Sequence, residues 1–388
     1  DIVKKYMSPI FPFNVERCMS PIFPDNVPLE IALEFELGGG VVSVTPHGSG
    51  NVNDTFLITT NTISRNKAIL QRINKHVFKL PKLIIENMRT AGAHINSKLS
   101  ATKQGATNRW EFPGIINTKA GSPFFLDDQG ECWRVIEYID NSLTFDTIEN
   151  TERAEQVGVG LGIFHRLLFD LEPSTLHETL PGFHITHRYL EHFDQVRAET
   201  SISEDPGELK YCLAFVVDRR HIVDILESAR QKKQITQQAI HGDPKLNNFL
   251  FDKLTSKAVG LIDLDTIQPG LLLHDIGDCL RSCCNLEGEE TTHPEKIRFD
   301  IEICQAILNG YFDEMKELLT KSDRELIFNA VQLISFELGL RFLTDYLEGD
   351  VYFKTNRSQH NLQRAIVQFK LTESIEAQEA AVRGISTP

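Results

Sequence analysis

Asp243, Asn248 and Asp263 are the residues whose types and spacing could carry out a reaction. Asp243 and Asn248 share the run His241-Gly242-Asp243-Pro244-Lys245-Leu246-Asn247-Asn248, and Asp263 follows the apolar segment 258–262. A carboxylate at 243 can accept the proton of an attacking hydroxyl. Asn248, five residues on, offers a neutral oxygen to a magnesium ion. Asp263 can reach the same ion from a second loop, because magnesium favours carboxylate, phosphate and water oxygens. These are the needs of ATP-dependent phosphoryl transfer, in which the protein mostly positions groups and neutralises charge. His-x-Asp alone arises by chance in Asp-rich loops. The order His-x-Asp-x-x-x-x-Asn, one short hairpin, then Asp is what points to a kinase-like site.

Such chemistry needs groups that hold the nucleotide phosphates. Gly48-Ser49-Gly50-Asn51-Val52-Asn53-Asp54 lies between two β-rich segments, and its small residues would let backbone N–H groups approach phosphate oxygens. An ordinary hairpin turn has the same composition; its place upstream of the His-x-Asp loop favours phosphate covering. Arg72, in Ile69-Leu70-Gln71-Arg72-Ile73-Asn74, is the candidate cation, with Glu86 on the next helix as its expected partner. In His274-Asp275-Ile276-Gly277-Asp278-x-x-Arg281, Asp278 and Arg281 are three apart and can meet on one helix face. Asp275 and Asp278 read as structural, one capping the helix and one anchoring the catalytic loop. His165 and His192 read as ordinary core or surface histidines, and no His/Cys cluster has metal-ligand spacing.

The elements that must position these residues divide the chain. From 29 to 140 it reads as β-rich with one helix: strands at 41–44, 55–60, 68–73 and 133–139, and a helical period over 82–99. Asp140-Asn141 is a natural linker. From 141 to 388 the reading is mostly helical, with helices over 151–171, 189–199, 216–232, 329–347 and onward from Leu280, interrupted by two short strands within 240–268. A small β lobe joined to a larger helical lobe is α+β organisation. On the 329–347 helix, Glu337, Arg341 and Asp345 form one polar stripe, either exposed ion pairs or the wall of a pocket.

Residues 1–28 stand apart as an extension that reads as dispensable. They contain Met-Ser-Pro-Ile-Phe-Pro twice, at 7–12 and 19–24, and Pro9, Pro12, Pro21 and Pro24 break any signal-peptide core. The composition, 41% apolar and 24% charged over 388 residues, is that of a soluble globular protein. A formal net charge of −14 argues against nucleic acid or an anionic membrane as the main partner. No apolar run reaches the roughly 18 residues of a membrane span. Seven cysteines without a Cys-x-x-Cys pair make neither a disulfide framework nor a zinc site, which fits reduced thiols in the cytoplasm.

With these residues in view, the chain resembles the aminoglycoside phosphotransferase and choline kinase superfamily, and within it the N-acetylhexosamine 1-kinases. It does not resemble protein kinases, since Asp263-Leu264-Asp265 stands in place of Asp-Phe-Gly and no Ala-Pro-Glu follows. The resemblance runs from about Gly48 to Ile375. It rests on Asn51-x-Asn53-Asp54-Thr55, Leu70-Gln71-Arg72-Ile73-Asn74, the 241–250 run, Asp263-Leu264-Asp265-Thr266, Gly277-Asp278-x-x-Arg281-Ser282 and the 341–353 segment. It implies a bilobal, protein-kinase-like fold, ATP and Mg2+ as cofactors, and phosphorylation of the anomeric hydroxyl of N-acetylglucosamine or N-acetylgalactosamine. It further implies Asp243 as base and Asn248 and Asp263 as metal ligands. The nucleotide would be met by Arg72 with Gly48, Gly50, Asn51 and Asn53, and by the hinge Glu137, Tyr138 and Ile139. Arg341 and Tyr352 would meet the sugar, with His241, Asp265, Asp275, Asp278 and Arg281 as structural neighbours. A kinase of another small hydroxyl compound (an aminoglycoside, choline, homoserine) is the nearest alternative. A catalytically silent nucleotide-binding protein would have no chemical need for Asp243, Asn248 and Asp263 together.

Overall fold

The small lobe is built on β-branched and aromatic segments that alternate in burial. The computed structural model describes residues 27–48, 52–101, 109–200 and 207–387. Strands β1 (Val41–Pro46), β2 (Asp54–Thr60), β3 (Lys67–Ile73), β4 (Ile115–Ile116), β5 (Phe125–Leu126) and β6 (Cys132–Glu137) form one antiparallel sheet ordered β1-β2-β3-β6-β4, with β5 also on β6. In register, Phe56 pairs with Leu70 and Leu70 with Val135, so these side chains share one face. That outer face is covered by α1 (Val27–Ala32) through Ile31, Ala32 and the nearby Phe35. The inner face, with Ile73 and Ile136, packs on α2 (Pro81–Ala101) through Ile84, Ile85 and Met88. Residues 1–26, including both hexapeptides, lie outside the described residues. Val27 and Pro28, which the sequence reading puts in the extension, open α1, and Pro28 is buried.

The larger lobe begins with β7 (Ser142–Leu143) and runs through α3 (Thr151–Leu168), α4 (Thr186–Glu199), α5 (Gly207–Arg219) and α6 (Ile225–Gln231). Strands β8 (Gln238–Ile240), β9 (Phe249–Asp252), β10 (Ala258–Leu261) and β11 (Gln268–Gly270) then frame the 241–267 segment, β9 pairing β10 and β8 pairing β11. Helices α7 (Leu272–Cys283), α8 (Ile301–Met315), α9 (Lys321–Glu325), α10 (Ile327–Leu347), α11 (His360–Glu376) and α12 (Glu379–Ser386) complete it. Two expectations change. The helix expected over 216–232 is two, because Asp218-Arg219-Arg220-His221 breaks the apolar stripe: Arg219 turns to Glu376 and Arg220 to Asp194. Helices resume at Leu272 rather than Leu280: α7 is amphipathic, but its polar face, with His274, Asp275, Asp278 and Arg281, is buried instead of meeting water.

Glycines let α3 and α8 touch backbone to backbone. A Cβ on Gly158 would lie 1.9 Å from the Ile307 carbonyl oxygen, and one on Gly310 would lie 2.2 Å from that of Glu155. Among the described residues α10 alone is long and apolar enough to cross a membrane, and 78% of its apolar window is buried in the protein. The described cysteines are buried and unpaired.

Candidate active site

The loop 241–248 is held from beneath before it presents any reactive group. Asp275 on α7 accepts the N–H of His241 at 2.7 Å and of Gly242 at 2.8 Å. Its carboxylate is fixed in turn by His165 at 2.8 Å, and His165 by the Tyr311 hydroxyl at 2.8 Å. Burial would raise the Asp275 carboxyl, but these hydrogen bonds and nearby imidazoles hold it below the usual range. Asp275 is therefore the loop anchor. The N-cap of α7 is Leu271 and no side chain caps it, so neither Asp275 nor Asp278 has the capping role expected of one of them. His241 is fully buried, and burial lowers its pKa. The neutral ring donates from Nε2 to the Ile262 carbonyl (2.9 Å) and accepts the Asp243 N–H at Nδ1 (3.3 Å). Gly242 has φ 88°, and a Cβ there would lie 2.8 Å from the Thr266 carbonyl oxygen, so only glycine suits the turn.

Above this support sit the three residues singled out by spacing. The Asp243 side chain is 31% exposed and pairs with Lys245 Nζ at 2.6 Å. Asn248 Nδ2 donates to the Asp243 carbonyl oxygen at 2.8 Å, which leaves Oδ1 for another partner. The Ile262 N–H donates to the Asn248 carbonyl at 2.9 Å, and this sets Asp263 beside Asn248. Asp263 has φ 62°, a left-handed conformation, and its side chain is exposed. Despite that exposure, the surrounding protein mass, with Asp265 and Asp243 as like charges, pushes its carboxyl up to about 6 against the opposing effect of Lys245. Burial alone would raise Asp243, but the Lys245 charge and hydrogen bond hold it below the usual range, and the same pairing raises Lys245. Lys245 lay within the motif, and its position two residues from Asp243 was the signal for its role.

The lobes are joined by a pair that spacing does not reveal. Arg134 on β6 and Asp265, both almost fully buried, form an ion pair. Arg134 also donates to Gln71 Oε1 at 2.7 Å, and Asn53 Nδ2 donates to Asp265 at 2.5 Å. The expected Arg72–Glu86 pair does not form. Register places Arg72 opposite Asp54 on the outer face, where it donates to the Asp54 carboxylate, while the inner-face residue of β3 is Gln71. Glu86 pairs with His177 at 3.0 Å near solvent. Asn53 accepts the Asn74 N–H, Gly48 adopts φ 75°, and Gly50 and Asn51 lie outside the described residues. At the hinge, the Glu137 carboxylate turns to Arg65 and the Gly114 N–H. Tyr138 lies under Lys67 Nζ (5.2 Å to the ring), and Ile139 packs with Leu250, Val259 and Ile262.

Asp243 opens onto a cleft of about 510 Å³ also lined by Asp278, Arg281, Glu337, Arg341 and Tyr352. Asp278 pairs with Arg281 at 2.8 Å, and Arg281 faces Glu289 at 3.5 Å. The Glu337, Arg341, Asp345 stripe of α10 is not a row of surface ion pairs. Glu337 and Asp345 are buried, and the Arg341 guanidinium lies 5.2–6.0 Å from the ring centres of Phe183, Tyr189, Tyr352 and Phe353. Asp345 accepts the N–H groups of Val351, Tyr352 and Phe353 at 2.7–2.9 Å, which folds Tyr352 back onto the helix after the left-handed Gly349-Asp350 turn.

Residues 43–318 match the model of the APH family, described as a phosphotransferase enzyme family. Among solved structures, an aminoglycoside phosphotransferase from Alicyclobacillus acidocaldarius is similar with a TM-score of 0.57 at 16% identity, covering 95% of this chain and 97% of that one. The amicoumacin kinase hAmiN, solved with AMP-PNP, Ca2+ and Ami, gives 0.59 at 13% identity over 92% and 94%. A choline kinase from Cryptosporidium parvum gives 0.56 at 15% over 88% and 91%. At such identities the likeness is one of fold: a small antiparallel-sheet lobe on a larger helical lobe.

Proposed function

This chain belongs to the APH phosphotransferase enzyme family, and on that footing we propose that it transfers the γ-phosphoryl group of ATP to the anomeric hydroxyl of an N-acetylhexosamine. The observation that carries the reading is that Asp243 and Lys245 line the same cleft as Arg341 and Tyr352, with Asn248 bonded to Asp243 and Asp263 set beside Asn248. Asp243 would orient the acceptor hydroxyl and take its proton. Lys245, between Asp243 and Asp263, would offset charge on the transferring phosphoryl group. Asn248 Oδ1 and the Asp263 carboxylate fit a magnesium ion, which binds through one or two protein oxygens and completes its shell with phosphates and water. When bound, that ion would neutralise the phosphate oxygens. The adenine would lie against the hinge at Tyr138 and Ile139, above Leu250 and Ile262. Phosphate contacts fall to the 48–54 loop and Lys245, since Arg72 is engaged with Asp54 and Glu86 with His177.

An uncharged acceptor is supported by what already fills the aromatic cluster. Four rings surround the guanidinium of Arg341, so the cation–π site that a quaternary ammonium would need holds the chain's own cation. Of the carboxylates lining the cleft, Asp243 is paired with Lys245, Asp278 with Arg281, Glu290 with Arg364 and Glu337 with His184, while Asp146, Glu287 and Glu289 line it as well. A neutral sugar offers hydroxyl and acetamido groups to Arg341 and Tyr352 without adding charge. A panel of amino sugars, choline, ethanolamine and aminoglycosides, scored by ADP release, tests the reading: N-acetylhexosamines should be turned over and cationic acceptors refused.

A further inference from the structure

Beneath Asp243 lies a buried histidine that the proposed reaction does not use. His184 has φ 59° in the turn before α4, and its ring is 5% exposed. Nδ1 lies 2.9 Å from Glu337 Oε1 and Nε2 lies 3.2 Å from the Gly242 carbonyl oxygen. Both partners can only accept: one is a carbonyl, the other a carboxylate whose second oxygen takes the Thr186 hydroxyl proton at 2.6 Å. A neutral imidazole would satisfy one of them and turn a lone pair toward the other. The geometry therefore asks both ring nitrogens to donate, which only the imidazolium does.

We propose that His184 is a positioning residue, held as an imidazolium that ties the peptide carrying Asp243 to Glu337 of α10. Glu337 stands one helical turn from Arg341, so one charged unit spans the base and the acceptor wall. The Gly242 peptide is gripped on both sides, its N–H by Asp275 and its carbonyl by His184. The groups facing His184 agree with a cation there. From α10, Glu337 lies against it, with Arg341 beyond. From α7 come Asp278, which raises its pKa, and His274, whose ring centre is 5.0 Å away. Burial pushes His274 down to about 3, so it adds no competing charge. Burial also pulls on His184 itself, but the Glu337 charge and hydrogen bond more than offset this, and Glu337 is correspondingly held below the usual carboxylate range.

The test uses the whole chain with 15N-labelled histidine, His184→Gln to assign the signal, and Glu337→Gln as an independent perturbation. NMR at pH 8 should show both His184 nitrogens protonated in the wild type and one unprotonated in Glu337→Gln. A His184 ring with an unprotonated nitrogen in the wild type at pH 8 would overturn the proposal, whether or not the chain proves to be a sugar kinase. Only the kinetic arm rests on the proposed phosphotransfer. There each single variant should lower kcat about 10- to 100-fold, the scale of a lost charge-assisted hydrogen bond, and raise the acceptor KM but not the ATP KM. The double variant should lose no more than the worse single one, because the residues act as a unit. Additive losses, or a wild-type kcat in His184→Gln, would sink it. A wild type that turns over no hexosamine at all would count against the substrate and leave the NMR result standing.

Discussion

Arg134 and Asp265, 131 residues apart, form a buried ion pair that ties the hinge-side strand of the small lobe to the loop following Asp263. Gln71 completes the guanidinium's contacts and Asn53 those of the carboxylate. The pair thus ties the inner face of the small lobe's sheet to the 263–266 segment of the larger lobe. Removing one member leaves an uncompensated buried charge, which typically costs about 3–5 kcal/mol. Arg134→Met should lower stability by about that amount in urea denaturation. A loss below about 1 kcal/mol would show that the lobes are not held together here.

The Asp263 carboxyl, raised to about 6, predicts a conflict between stability and function. Between about pH 4 and 6 the folded chain holds a proton that the unfolded chain has released, so stability should fall as pH rises through that window. Because Asp263 is exposed, water screens part of this effect, and without metal Asp263→Asn should melt only slightly above wild type at pH 7.5 and level with it at pH 4. The same substitution should abolish turnover and the magnesium dependence of nucleotide binding. Equal melting at both pH values would mean that Asp263 is not strained in its ionised form.

Arg341→Ala and Tyr352→Phe should raise the sugar KM by about tenfold or more while the ATP KM stays unchanged, in line with a lost hydrogen bond to a charged group. Arg341→Ala empties the aromatic cluster and should admit weak choline binding, detectable by calorimetry. Variants that damage ATP and sugar binding alike would place these residues in general support of the fold.

How far the chain could be read in advance depended on distance along it. Asp243, Asn248 and Asp263 lie within 21 residues, and their chemistry is written in local spacing. Arg134–Asp265 and His184–Glu337 are 131 and 153 residues apart, and nothing in either segment announces the other. The Arg72 expectation failed on register: strand side chains alternate faces, so the neighbouring Gln71, not Arg72, points inward. The polar face of α7, with His274, Asp275, Asp278 and Arg281, lies in the sequence at helical spacing, but only packing shows that it is buried, with Asp275 against the 241–242 peptides. The Glu337, Arg341, Asp345 stripe was visible, but only packing could decide whether water or aromatic rings surrounded it.

The anchoring of Asp243 predicts a clean separation of binding from chemistry. Its backbone is fixed by Asp275 and His241, so Asp243→Asn should keep the loop in place. Affinity for a non-hydrolysable ATP analogue should stay within a few-fold. The value of kcat should fall about 10²- to 10⁴-fold, the range for losing a general base. A variant keeping a tenth of wild-type kcat would remove Asp243 from that role.

The most direct test is phosphorus NMR of the product formed from ATP, magnesium and N-acetylglucosamine or N-acetylgalactosamine. The expected spectrum shows ADP and a sugar phosphate whose phosphorus couples to the anomeric proton, both abolished by EDTA and by Asp243→Asn. Phosphate on carbon 6, or ATP left intact with both sugars, would contradict the account.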